Sequence, residues 1–179
     1  MTWLGRFGPH MPLPPLREVV RAATGAALGL FVADVILWLV TGPGLPLMMQ
    51  TALIAPFGAS AFLIFAVPNS PLAQPWPAVV GNTVSALSAL LIVQTPLPLV
   101  PAISAAVLLA MVAMALSRAT HPPGGAVAVA TVLLAGSGHG PGWSYALLPV
   151  FAGTAALVCV GMVWNRATGH PYPTPLQPR

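Results

Sequence analysis

The sequence predicts an all-α polytopic membrane protein, with six hydrophobic segments arranged as two inverted three-helix repeats, each carrying a broken Pro-x-Gly-Ala helix. Three observations carry that prediction. Of 179 residues, 57% are apolar and only 4% are charged, whereas a water-facing domain carries about 25% charged residues. The apolar residues form runs long enough to cross a bilayer. Two of those runs hold the same short motif, Pro56-Phe57-Gly58-Ala59 and Pro123-Gly124-Gly125-Ala126, 67 residues apart.

The segments follow in order. Residues 1–17 form a proline-rich lead with Pro9, Pro12, Pro14 and Pro15, read as irregular. The first hydrophobic segment runs from Val19 to Val40, longer than the apolar core of a signal peptide, and is read as a retained helix. The second, Gln50 to Val67, is interrupted by Pro56 and Gly58, because proline and glycine both oppose a helix interior. The third is Trp76 to Val93 and the fourth Leu97 to Leu116. The fifth, His121 to Ala135, is short for a span and opens on two prolines and two glycines. The sixth is Ser144 to Trp164. Residues 18–166 make the transmembrane domain, with repeat halves at 19–93 and 97–164, and residues 167–179 form a proline-rich tail.

Charge sets the topology. There is no lysine, and the arginines are Arg6, Arg17, Arg21, Arg118, Arg166 and Arg179. With six crossings and a cytoplasmic N-terminus, every arginine falls on the cytoplasmic side, and the loops near 41–49, 94–97 and 136–143 carry no charge, as the positive-inside rule demands. Re-entrant second and fifth segments would put Arg118 outside. The expectation is an integral protein of a bacterial inner membrane, with both termini cytoplasmic. Scattered arginines give no footprint for nucleic acid. The partners expected are a lipid bilayer and a small solute, and the size is compatible with a homodimer or trimer. Cys159 is single and apolar in context, so it is read as packing.

The repeat extends beyond the two breaks. Pro77-Ala78-Val79-Val80-Gly81-Asn82-Thr83 has an echo in Pro149-Val150-Phe151-Ala152-Gly153-Thr154, at a spacing of 72. The five-residue difference between the two spacings fits the loop Gly136-Ser137-Gly138-His139-Gly140. Three crossings per half is an odd number, so the halves are inverted, and corresponding breaks in two inverted halves are the pattern of a substrate site at their interface.

The chemistry expected at the breaks is anion binding. A helix that starts after a Pro-x-Gly-Ala turn leaves its first N–H groups unpaired and presents a partial positive charge. Two such starts aimed at the bilayer midplane bind a small anion without a charged side chain. The candidate substrate-binding residues are Pro56, Phe57, Gly58, Ala59 and Ser60 at one turn and Pro122, Pro123, Gly124, Gly125 and Ala126 at the other. Asn82, Thr83 and His121 are placed beside them. Asn69, Ser70, Ser85, Ser88 and Thr120 are further donors, although serine and threonine in apolar helices commonly bond their own backbone. His121 reads equally as a cap donating to a carbonyl and as a pH-sensitive ligand or proton carrier. Asp34 is the one acidic residue inside a span; it should face protein or water, pair with an arginine or donors, or carry a proton. His10, His139 and His170 read as loop residues. Neither a metal site, nor a cofactor motif, nor a catalytic constellation is present, so the chain is not read as an enzyme.

The run His121-Pro122-Pro123-Gly124-Gly125-Ala126 resembles the signature of the HPP family of integral membrane proteins, found in bacteria, algae and plants. Ala55-Pro56-Phe57-Gly58-Ala59-Ser60, Val67-Pro68-Asn69-Ser70-Pro71-Leu72-Ala73-Gln74-Pro75 and Val80-Gly81-Asn82-Thr83 resemble its other blocks. The likeness covers residues 17 to 166. The family is described with four spanning helices, which agrees with six segments if the two broken ones are not counted. Plant and cyanobacterial relatives are associated with nitrite transport, so the resemblance implies a permeation pathway for a small anion, nitrite first. The competing reading is a non-transporting assembly or signalling module whose breaks serve only packing. A cation or proton path through Asp34 is disfavoured, because a single acidic residue would have to carry it.

Overall fold

The computed structural model describes residues 8, 11–41, 47–138 and 140–174. Arg6, His10, His139, Arg179 and the centre of the 41–49 loop lie outside the described residues. Six helices follow one another: α1 (Leu16–Thr41), α2 (Leu47–Ala66), α3 (Pro75–Val93), α4 (Leu99–Leu116), α5 (Pro123–Gly136) and α6 (Ala152–Ala167). A 3-10 turn, Pro71–Ala73, links α2 to α3, and a π-helical stretch, Ala146–Phe151, leads into α6. No strand occurs among the described residues.

Prolines set the boundaries. Pro14 and Pro15 precede α1, and α3 and α5 each begin on proline, where a missing N–H costs nothing. Helix α4 ends in a Schellman turn, with Ala119 N–H donating to Met114 O at 2.8 Å and Arg118 N–H to Ala115 O at 3.1 Å. Arg118 takes the left-handed conformation there, φ 54°. The last segment bends at Leu148, whose backbone is extended (φ −132°, ψ 110°) just before Pro149.

Four helices are long and apolar enough to cross a membrane: Leu16–Leu39, Pro75–Val93, Leu99–Leu116 and Ala146–Ala167. The second and fifth segments are the exceptional ones, though not as expected in both cases. Helix α2 is not broken: it runs through Pro56. One proline removes one backbone hydrogen bond, while unwinding the segment in an apolar setting would strand several polar groups, so the helix persists. The fifth segment is short and not interrupted: its Pro123-Gly124-Gly125-Ala126 run forms the first turn of the helix. Helix α5 has only 14 residues, about 21 Å at 1.5 Å per residue.

Successive helices run in opposite directions. Arg21 on α1 reaches Phe65 O near the end of α2, Trp76 at the start of α3 donates to Ser117 O after α4, and Asn165 on α6 donates to Ile64 O. These bonds gather residues 16–21, 64–76, 117–118 and 164–174 at one end of the bundle. Arg17, Arg21, Arg118 and Arg166 all belong to that end. Helix α3 is central and packs on α4, α5, α6 and the π-helical stretch. Close approach is possible because of two glycines. A Cβ on Gly81 would lie 2.5 Å from Ala119 O, and one on Gly124 would lie 2.5 Å from Ser85 Oγ.

Candidate functional site

The break before α5 brings His121 into the bundle. Gly81 of α3 leaves room for the backbone of Ala119 and His121, and Gly124 then sits against Ser85. Helix α5 therefore starts level with residues 81–85, near the middle of α3. His121, Ser60, Asn82 and Thr154, from four different parts of the chain, meet at this depth, and each is fully buried.

Their hydrogen bonds form one chain. His121 Nδ1 lies 2.7 Å from Leu72 O, and His121 Nε2 lies 2.9 Å from Ser60 Oγ. A carbonyl can only accept, so Nδ1 carries a hydrogen. Asn82 Nδ2 donates to Ser60 Oγ and to Thr154 Oγ1, each at 3.2 Å, and Thr154 Oγ1 donates to Val150 O at 2.7 Å. The neutral Nδ1–H form of His121 gives every hydrogen a partner, because Ser60 then donates to Nε2. The opposite amide orientation would set Asn82 Oδ1 against two oxygens whose hydrogens are already committed. In the observed orientation Asn82 Oδ1 is enclosed and accepts nothing from the described residues.

Two cavities lie along α2 on either side of Ser60. One, of about 500 Å³, is lined by Ala52, Ala55 and Pro56 of α2 and by Ala126, Val129 and Leu133 of α5. The other, of about 840 Å³, opens at the arginine end and is lined by Arg21, Phe65, Asn69, Ser70 and His170 among others. Arg21 is tied down beside that second cavity: Nε donates to Glu18 at 2.8 Å, and the two terminal nitrogens donate to Asn165 Oδ1 and Phe65 O at 3.0 Å each.

The sequence-predicted site is assembled only in part. Ser60, Asn82 and His121 come together. Pro56 and Ala126 line the same cavity. Phe57 is core, its ring filling the space over Gly153. Ala59 and Pro122 are exposed, and Pro123 and Gly124 are buried by packing. Gly58 and Gly125 have open space where a side chain would begin. Thr83 bonds its own helix at Val79 O, as Ser85 and Ser88 do at Gly81 O and Val84 O. Ser70 instead caps the 3-10 turn, and Thr120 and Asn69 are exposed.

Two expectations are corrected. The N–H groups at the α5 start are not free: Gly124 donates to His121 O at 2.8 Å and Gly125 to Pro122 O at 3.0 Å. Tight turns satisfy them locally, so the helix start is not an open anion cradle, and with α2 continuous there is no second one. Asp34 does not face the bundle. It lies exposed on the outer side of α1, with no ion pair among the described residues.

Other residues are missed from the sequence. Thr154 is recognisable only through the Gly153-Thr154 echo of Gly81-Asn82. The tail, read as irregular, lacks helix over the described residues 168–174 but is held down: Tyr172 is fully buried and donates to Ala73 O at 2.7 Å. Thr174 N–H donates to Gln74 Oε1 at 2.9 Å, and Arg166 Nε to Tyr172 O at 2.9 Å. Burial raises the Tyr172 phenol above its ordinary pKa.

An all-helical bundle with four membrane-length apolar helices and a polar cluster sealed among them defines an integral membrane protein. The chain belongs to the HPP transmembrane family: the family model described as HPP, transmembrane region, matches residues 11–173. It is similar to two proteins of Dictyostelium discoideum, both named only as transmembrane proteins. One is 38% identical over 126 residues, covering 68% of this chain and 40% of the relative. The other is 32% identical over 177 residues, covering 96% of this chain and 60% of the relative. The chain thus spans about half the length of these relatives. No solved structure matches it.

Proposed function

We propose that the protein is a transporter or channel for a small inorganic anion, with nitrite as the leading substrate. The observation that carries this reading is the Ser60–His121–Asn82–Thr154 cluster, a fully buried chain of polar side chains drawn from four parts of a largely apolar bundle. Polar side chains at membrane depth are costly and mark solute or proton pathways. The bundle is set in an inner membrane with the arginine end, and so both termini, in the cytoplasm.

The halves form an inverted repeat in this proposal. Helices of opposite direction pair α2 with α5 and α3 with α6, as a two-fold axis in the membrane plane requires. Asn82 and Thr154, corresponding positions of the Pro77 and Pro149 blocks, bond to each other, as residues beside such an axis would. Pro56 and Ala126, from the two Pro-x-Gly-Ala motifs, share one cavity.

A second reading is favoured by one observation: every hydrogen of the cluster is already paired, so the cluster serves equally as glue for a non-transporting assembly module. Nitrite uptake into liposomes loaded with purified protein separates the two. The transport reading expects uptake above that of protein-free liposomes, and uptake equal to the protein-free rate would sink it.

A further inference from the structure

We infer that the cluster takes its solute as a weak acid together with its proton, so that the unit crossing the bundle is neutral; this deepens the transport reading above and rests on it. The arrangement of hydrogens leads there. His121 Nδ1–H is committed to Leu72 O, the Ser60 hydroxyl to His121 Nε2, both Asn82 amide hydrogens to Ser60 and Thr154, and the Thr154 hydroxyl to Val150 O. What remains is an acceptor, Asn82 Oδ1, fully enclosed and bonded to nothing among the described residues. A bare anion brings only acceptors and would find no donor here. The acid form of the same solute brings an O–H, which complements Oδ1.

Charge points the same way. Helices α2, α3, α4 and α5 and the 71–73 turn contain no ionisable side chain. On α6, Cys159 is exposed and Arg166 is bonded to Tyr172 O. On α1, Arg17 and Arg21 pair with Glu18, Arg21 also binds Asn165 and Phe65 O, and Asp34 is exposed. His170 pairs with Glu18, the Tyr172 hydroxyl is held by Ala73 O, and Arg118 is exposed in its turn. Among the described residues no cation therefore faces His121 to hold a bare anion in this apolar surround, and an unpaired buried charge is the costliest occupant.

Ser60 and His121 supply the proton step. The Asn82 oxygen that receives the solute O–H shares a carbon with the nitrogen bonded to Ser60 and to Thr154, and in this proposal the solute sits on the Ser60 side. To ionise, the solute O–H turns from Asn82 Oδ1 to Ser60 Oγ; Ser60 passes its own hydrogen to His121 Nε2 and takes the solute's hydrogen in its place. The imidazole gains one proton, and the solute is left as an anion beside the imidazolium. The reverse transfer restores the acid for release. Throughout, Nδ1–H stays on Leu72 O, so the ring keeps its orientation.

The test uses purified protein in liposomes with sodium nitrite outside, a pH-sensitive dye inside, and the potential set with potassium and valinomycin. Protein-free liposomes give the background of nitrous acid crossing lipid. The expected result is one proton entering per nitrite, at a rate indifferent to the imposed potential. Nitrite entry that carries no proton and follows the potential overturns the inference and leaves the transport reading standing. No entry above background overturns the transport reading itself. His121→Gln keeps a donor for Leu72 O and an acceptor for Ser60 but takes no proton. It should slow entry on the order of 10²-fold, the scale of a lost acid–base group, with an unchanged melting temperature. A folded His121→Gln protein moving nitrite at the wild-type rate overturns the proton step. Should that variant fail to fold, the wild-type stoichiometry decides alone.

Discussion

Asn82 and Thr154 stand 72 residues apart in the chain, and their side chains meet at 3.2 Å in the centre of the bundle. Each also anchors a further partner, Ser60 for Asn82 and the Val150 carbonyl for Thr154. A double-mutant cycle with Asn82→Ala and Thr154→Val measures the link. The expected coupling is about 0.6 kcal/mol, with about 1.7 as the upper range found between membrane helices. Additive single effects would mean that the two side chains do not bond in the membrane.

Glycine substitutions should fall into two groups. Gly81→Ala and Gly124→Ala each drive a methyl into backbone oxygen or a serine hydroxyl, which costs about 1–3 kcal/mol by overpacking. Both variants should lose yield and thermal stability. Gly58→Ala and Gly125→Ala meet nothing within 4 Å, so they should fold at wild-type levels. Any loss of nitrite uptake in those two then reports on the two Pro-x-Gly-Ala motifs and not on packing. Melting curves in detergent check the first group, and uptake checks the second.

Removing the Tyr172 hydroxyl should loosen the tail. Tyr172→Phe deletes the bond to Ala73 O, worth about 0.5–1.5 kcal/mol. Alkali should act at the same point. The folded state raises the phenol above its ordinary 10.0, so the tail's contribution is complete below that value and is lost as pH climbs through the higher folded pKa. Tyrosinate absorbance followed against protease cleavage after Ala167 should show both changes together in wild type, with the alkaline cleavage step missing in Tyr172→Phe. Cleavage that appears near neutral pH would contradict it.

Asp34 offers a control. Because it is exposed on the outer face of α1, Asp34→Asn should leave both nitrite entry and its proton stoichiometry at the wild-type level. Loss of proton coupling in that variant would move the proton path from His121 to α1.

Reading the sequence located the helices well, because in an apolar chain the proline and glycine punctuation is nearly the whole boundary signal. The arginine count also found one end of the bundle, which Arg17, Arg21, Arg118 and Arg166 share. Pro56 misled, since a single proline is a local defect that a helix in an apolar setting absorbs. Pro122 and Pro123 instead mark where α5 begins, with Gly124 and Gly125 in its first turn, while α4 has already ended at Leu116. Asn82 and His121 stood out as polar residues in apolar runs. Thr154 did not, because a threonine in a helix is ordinary until something long-range bonds to it. Leu72 could not have been found at all, since its contribution is a carbonyl, and every residue has one. The facing of Asp34 was not legible, because hydropathy gives depth along a helix but not the direction in which a side chain points.

The latch between Tyr172 and the 71–73 turn has a consequence for the order of assembly. Leu72 O, which fixes the His121 ring, and Ala73 O, which holds Tyr172, are adjacent carbonyls of one turn. That turn lies between α2 and α3, yet one of its two clasps is made by residues synthesised after α6. While the ribosome is still producing the second half, the turn has neither His121 nor Tyr172 to hold it. The second clasp is therefore closed last, and a chain ending before residue 172 would carry all six helices with Leu72 O held by His121 and Ala73 O still unclasped.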